Sequence, residues 1–136
     1  MTEKELNIQY ALGSLSDDMK YELARNLNTP IKILTKLSTD KDWHIRYWIA
    51  ENPNASKKVL TILSTDEDWW VRYWVADNPN TPKKILTVLS KDKDSSVRSK
   101  VASNPKMQLL QSLLPVQRFF RLLKTSLTDF MKLVKF

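Results

Sequence analysis

The chain has 136 residues, a net charge of +7, no Cys, one His and one Gly. That length fits one domain, and the lack of cysteine excludes disulfides, thiolate metal sites and cysteine nucleophiles. A lone Gly13 leaves no material for a phosphate-cradling loop or for repeated hairpin turns, so nucleotide folds and all-β architectures fall away and a nearly all-helical fold is expected. Residues Met1 to Ile8 mix charged and apolar side chains without a signal-like apolar run, and no span is apolar enough to cross a bilayer, so a cytoplasmic protein is expected. The charge is uneven: −2 over residues 1–28, +5 over 29–106 and +4 over 107–136. A positive surface suits nucleic acid, anionic lipid or an acidic protein segment, and charge alone does not choose among them.

Residues 1–28 read as N-terminal capping helices and a degenerate repeat. Thr2 with Glu5 three residues on is a capping-box pattern, which predicts a first helix closing one end of the fold. From there a 26-residue period runs through the chain. Ala50-Glu51-Asn52-Pro53-Asn54 returns as Ala76-Asp77-Asn78-Pro79-Asn80 and as Ala102-Ser103-Asn104-Pro105, with a weaker copy at Ala24-Arg25-Asn26-Leu27-Asn28-Thr29-Pro30. Leu34, Leu60 and Leu86 align, as do Asp42, Asp68 and Asp94, and Arg46, Arg72 and Arg98. A fixed period of this kind predicts stacked units, each burying its apolar face only against its neighbours.

Within residues 29–106 each unit reads as two short helices. The first (30–38, 56–64, 82–90) follows Thr29-Pro30 or Thr81-Pro82, where threonine can cap and proline suits the first turn. Ile33, Leu34 and Leu37 form its core face. The second (about 42–51, 68–77 and 94–103) starts at an Asp suited to capping and carries Ile45 and Ile49, Val71 and Val75, or Val97 and Val101 at four-residue spacing. Ala50, Ala76 and Ala102 allow close helix approach beside them. Pro53, Pro79 and Pro105 end these helices by removing a donor.

The run Asn-Pro-Asn-Thr-Pro-x-x-Ile-Leu-x-x-Leu-Ser-x-Asp-x-Asp-x-x-Val-Arg-x-x-Val-Ala resembles the leucine-rich repeat variant family over residues 24–106. The resemblance implies an all-α, right-handed α-solenoid of short two-helix repeats, akin to HEAT-like repeats, capped by terminal helices. It implies no cofactor, because the cysteine-ligated cluster joined to such repeats in one founding member has no cysteine ligands in this sequence. Solenoids of this kind mostly supply binding surfaces.

Stacking turns each aligned position into a row. Asn26, Asn52, Asn78 and Asn104 are expected to satisfy backbone groups between units. Arg46, Arg72 and Arg98 lie within reach of the Asp40/Asp42, Asp66/Asp68 and Asp92/Asp94 turns, so inter-repeat ion pairs are expected, with phosphate contact as the alternative. The Asp-x-Asp pairs are too few in oxygens for calcium, and no metal site is expected. Off the apolar stripe of the second helices lie His44, Tyr47, Trp48 and Glu51, then Trp70, Tyr73, Trp74 and Asp77, then Ser96, Ser99, Lys100 and Ser103. Since one unit places Ser and Lys there, His44, Tyr47, Trp48, Trp70, Tyr73 and Trp74, bordered by Arg46, Arg72, Arg98 and Lys100, form the candidate binding face. The same rings could instead pack on one another between repeats. Trp43 and Trp69 read as packing residues.

After Lys106 the register is lost. Val116, Phe119, Phe120, Leu123, Leu127, Phe130, Met131 and Val134 draw an apolar stripe opposite Arg118, Arg121, Lys124, Lys132 and Lys135. Residues 107–136 are thus expected to cap the last repeat, or to contact an anionic membrane through 116–136. The functional expectation is a non-catalytic binding module for an acidic protein segment or nucleic acid. An alternative takes Trp70, Trp74 and Asp77 as imitating the site of HEAT-like alkylpurine DNA glycosylases, with excision of alkylated bases as the implied activity.

Overall fold

A computed structural model describes residues 3–11, 13–109, 112–116, 121 and 124. Every regular element among them is helical and none is a strand. The elements are α1 (Glu3–Ala11), α2 (Asp17–Arg25), α3 (Ile31–Leu37), α4 (Trp43–Glu51), α5 (Lys57–Leu63), α6 (Trp69–Asp77), α7 (Lys83–Leu89) and α8 (Ser95–Ser103). Residues 105–109 and 112–116 are also helical.

Each start has a local cause. Ser16 Oγ accepts from the Met19 amide and opens α2, and Ser56 does the same for α5. Asp42, Asp68 and Asp94 cap α4, α6 and α8 by accepting from the amides of His44, Trp70 and Ser96 at 2.8–2.9 Å. The threonine caps expected for α3 and α7 are not formed. Thr29 Oγ1 donates to the Leu23 carbonyl and Thr81 Oγ1 to that of Val75, so these hydroxyls close the preceding helix, and Pro30 and Pro82 hold the cap positions without a side-chain bond. Gly13 has a φ of +65° between α1 and α2, where the Gly13 amide donates to Tyr10 O and that of Ser14 to Gln9 O. This paired closure needs a left-handed residue, which explains why the single glycine stands there.

The long helices α2, α4, α6 and α8 pack side by side in sequence, and the short helices α3, α5 and α7 pack between and beside them. Ile33, Leu34, Leu37, Ile45, Ile49, Leu60, Val71, Val75, Leu86 and Val97 are completely buried between the two rows. Ala24, Ala50 and Ala76 are fully buried where long helices meet, whereas Ala102 is exposed because α8 ends that row among the described residues. Tyr10 joins α1 to the stack by donating to the Lys36 carbonyl. Met107 packs against the other end of the core. The apolar stripe expected beyond it lies outside the described residues except for Val116, which is exposed. The Thr2 cap also lies outside them.

Two side-chain ladders bind successive pairs. Asn52 Nδ2 donates to the carbonyls of Ala24 and Asn26, Asn78 Nδ2 to those of Ala50 and Asn52, and Asn104 Nδ2 to that of Ala76. Each Asn also accepts on Oδ1 from the amide two residues on, as Asn54, Asn80 and Lys106 show at 2.9–3.0 Å. Arg46 grips Asp66 through Nε and Nη2 at 2.6 and 3.0 Å, and Arg72 grips Asp92 the same way at 2.7 and 3.0 Å. At the equivalent place in the degenerate unit, Lys20 Nζ lies 3.2 Å from Asp40.

Two predictions follow from these contacts. Ala50→Leu or Ala76→Leu should lower stability by about 1–3 kcal/mol through overpacking between long helices, while Ala102→Leu stays within about 0.5 kcal/mol; denaturant midpoints separate them. The second concerns acid. Hydrogen bonds from Arg72 hold Asp92 below the ordinary carboxylate range, and those from Tyr21 do the same for Asp42. A folded-state value below the unfolded one gives stability that is complete above the unfolded carboxylate pKa, about 4, and is lost as pH falls through the lower folded value. Thermal midpoints should therefore decline from about pH 4 downward, and Asp92→Asn should be less stable at pH 7 with a shallower acid decline.

Candidate functional site

Four positions on each long helix share one outward face. On α2 they are Asp18, Tyr21, Glu22 and Arg25; on α4, His44, Tyr47, Trp48 and Glu51; on α6, Trp70, Tyr73, Trp74 and Asp77; on α8, Ser96, Ser99, Lys100 and Ser103. His44 is exposed, and Tyr47, Trp48, Trp70, Tyr73 and Trp74 are half-buried. The rings touch across helices as well as within them. Trp70 stacks on Tyr73 at 5.0 Å and 11°, Trp74 stands edge-on to both, and Tyr47 of α4 reaches Trp74 at 5.6 Å and Trp70 at 6.5 Å. Mutual packing and solvent exposure therefore coexist: the rings support one another from below and keep their outer surface open.

Trp43 and Trp69 are not packing residues. They are 36% and 41% exposed, because the first residue after the Asp cap projects off the end of the helix instead of into the row. Trp43 stacks on His44 at 3.7 Å, and Trp69 stands edge-on to Trp70 at 5.0 Å. They extend the aromatic surface beyond the residues that the sequence marks out. Tyr21 and Arg25 were also missed there, although each stands 26 residues before an aligned face position, Tyr47 or Glu51. Tyr21 donates to Asp42 at 2.5 Å, and this bond pushes its phenol up to about 12.

Cations cover the two flanks of the aromatic surface. The Arg25 guanidinium lies 4.5 Å over the Trp48 ring, and Lys100 Nζ lies 4.8 Å over Tyr73. Lys100 also pairs with Asp77 at 3.2 Å, and contacts with the Tyr73 and Asp77 side chains raise its ammonium above the ordinary lysine value. Between these flanks, burial and the Glu51 charge push the Tyr47 phenol up. Glu51 Oε2 and Trp74 Nε1 are buried without a hydrogen-bond partner among the described residues. Beyond Tyr73 the aromatic wall gives way to a groove of about 500 Å³ lined by Ser95, Ser96, Ser99, Lys100 and Ser103.

Arg46 and Arg72 do not border this face. Both are buried, with four of the five guanidinium N–H donors engaged: the fork to Asp66 or Asp92, and Nη1 to the carbonyls of Asp40 and Lys41 or of Asp66 and Glu67. Their burial and these bonds direct both guanidinium groups into the interface between units and away from the rings. Arg98 is exposed, with Nη1 bonded to the Asp92 and Lys93 carbonyls, and sits with the turns instead of the rings. Of the sixteen face positions, four hold carboxylates and two hold cations, so the surface around the rings leans acidic. No group of three or more His, Asp or Glu side chains among the described residues could hold a metal ion. Comparison with known protein families, with characterised proteins and with solved structures finds no match for this chain.

Proposed function

We propose that this chain is a right-handed stack of 26-residue helix pairs of the leucine-rich repeat variant kind, and that its long-helix face binds a segment of a protein partner without catalysis. The observation that carries this reading is the contiguous set of seven Trp and Tyr rings on α4 and α6, half-buried or exposed: Tyr47, Trp48, Tyr73 and Trp74 pack their inner sides against the core, and the set still keeps an open outer surface. Tyr and Trp anchors with an open surface suit a peptide: they offer large contact area and lose little side-chain freedom.

Charge favours polypeptide over phosphodiester. Arg46 and Arg72, two of the three arginines of the aligned row, are committed to Asp66 and Asp92, and Glu51 and Asp77 stand among the rings. The partner segment on this reading carries Lys or Arg beside aromatic residues, since the rings already accept Arg25 and Lys100 from the chain itself. Asp77 is paired with Lys100 on the rim, which supports binding instead of base excision.

The test is a Trp-fluorescence titration with an Arg- and Tyr-containing peptide library, a polyglutamate peptide and a mixed-sequence single-stranded oligonucleotide at two salt concentrations. Members of the basic peptide library should bind, and Trp69→Ala and Trp74→Ala, checked as folded by circular dichroism, should each weaken binding about tenfold or more. Oligonucleotide binding that both variants abolish, with a steep salt dependence, would overturn the protein reading in favour of single-strand stacking.

A further inference from the structure

A row of lysines sits on the short helices, which the aromatic face leaves unused. Lys32 on α3, Lys57 and Lys58 on α5, and Lys83 and Lys84 on α7 are all exposed. Lys32, Lys58 and Lys84 occupy one aligned position, and Lys57 and Lys83 the position before it. None of the five ammonium groups forms an ion pair or hydrogen bond among the described residues, and α3, α5 and α7 contain no Asp or Glu. The contrast with the rest of the chain is sharp. Lys20, Arg46, Arg72 and Lys100 all have carboxylate partners. Five like charges held on neighbouring short helices repel one another, so this ridge costs stability that packing does not require.

We infer that this lysine ridge docks the protein on an anionic phospholipid surface. Apolar side chains are interleaved with the lysines. Ile31 stands at the position of Lys57 and Lys83 and is 55% exposed, Leu27 in the turn before it is equally exposed, and Val88, one turn after Lys84, is 59% exposed. Lysine ammonium groups over a negative headgroup layer, with a few aliphatic side chains at the same level, match a bilayer interface, where charge attraction and shallow apolar burial add. A nucleic acid would make poor use of the same surface. The ridge has no Arg fork and no aromatic ring for a base, and the threonines between the lysines, Thr35, Thr61 and Thr87, donate their hydroxyls to Ile31, Lys57 and Lys83 carbonyls of their own helices. The ridge and the ring-bearing face lie on different helix rows, so a bound membrane leaves the aromatic surface open to its partner.

The full chain is sedimented with phosphatidylcholine vesicles, with vesicles containing phosphatidylserine, and separately titrated with a mixed-sequence DNA duplex. Binding to the anionic vesicles only, falling as salt rises, is expected. The exposed double variant Lys58→Gln/Lys84→Gln should lower the vesicle partition coefficient at least about tenfold at an unchanged melting temperature, since each lysine near such a surface contributes about fivefold and the two multiply. Ile31→Ser should lower it by a smaller factor. An undiminished partition in the double variant would overturn the assignment and move attachment to the basic C-terminal segment. Equal binding to neutral vesicles would overturn it as well. Duplex binding that survives higher salt than vesicle binding, and that the double variant abolishes, would give the ridge to nucleic acid. Peptide binding to the rings reads the other face through Trp fluorescence, so either proposal can fail while the other stands.

Discussion

The stack depends on a relay that starts, in its two central units, at a buried arginine. The Arg72 guanidinium holds the Asp92 carboxylate, and Asp92 Oδ1 also accepts from the Asp94 amide at 2.8 Å. Asp94 in turn caps α8. The same relay runs from Arg46 through Asp66 to Asp68 and the start of α6. Its first link uses a lysine, Lys20, then Asp40, Asp42 and α4. A charge in one unit thus sets the N-terminus of the long helix in the next. Because each buried guanidinium has four of its donors matched by carboxylate or carbonyl oxygens, its desolvation is offset, and removing its carboxylate partner would leave a charge stranded. The asparagine row does a neutral version of the same work at the other end of the long helices, tying each Asn to carbonyls of the preceding unit.

This use of arginine has an electrostatic consequence for the surface. Two of the six arginines, Arg46 and Arg72, are spent inside the fold, so total charge misleads about where anions can bind. What remains is segregated. Carboxylates lie among the rings of the long helices, and Lys32, Lys57, Lys58, Lys83 and Lys84 lie exposed on the short ones.

The fold was largely legible in the sequence because its signals are redundant. Leu34, Leu60 and Leu86 report the core, Asp42, Asp68 and Asp94 report the caps, and Asn52, Asn78 and Asn104 report the turns, all in one register. The threonines failed because a hydroxyl before a helix has two local choices. Thr29 and Thr81 donate backward to the closing helix, and pattern alone does not weigh that bond against a forward cap. The site was legible at the rings and illegible at the cations. Arg46 and Arg72 fall beside the aromatic residues in sequence, yet whether a guanidinium points to solvent or into an interface depends on an acid 20 residues away in the next unit. Trp43 and Trp69 were misread for a related reason: a helix wheel describes the middle of a helix, and the first residue after a cap lies off the wheel's buried arc.

The variation along the long helices separates stacking from recognition. At the four face positions α2 carries charges and one Tyr, α4 and α6 carry rings, and α8 carries serines and a lysine. Meanwhile Val97 and Val101 of α8 are buried as deeply as Ile45 and Ile49 of α4, and Asn104 bonds to Ala76 as Asn78 does to Ala50. A long helix therefore joins the row fully without aromatic residues on its outer face. The rings of α4 and α6 pack their inner sides on the core, but their open outer surface carries an apolar exposure that α8 shows the row can do without.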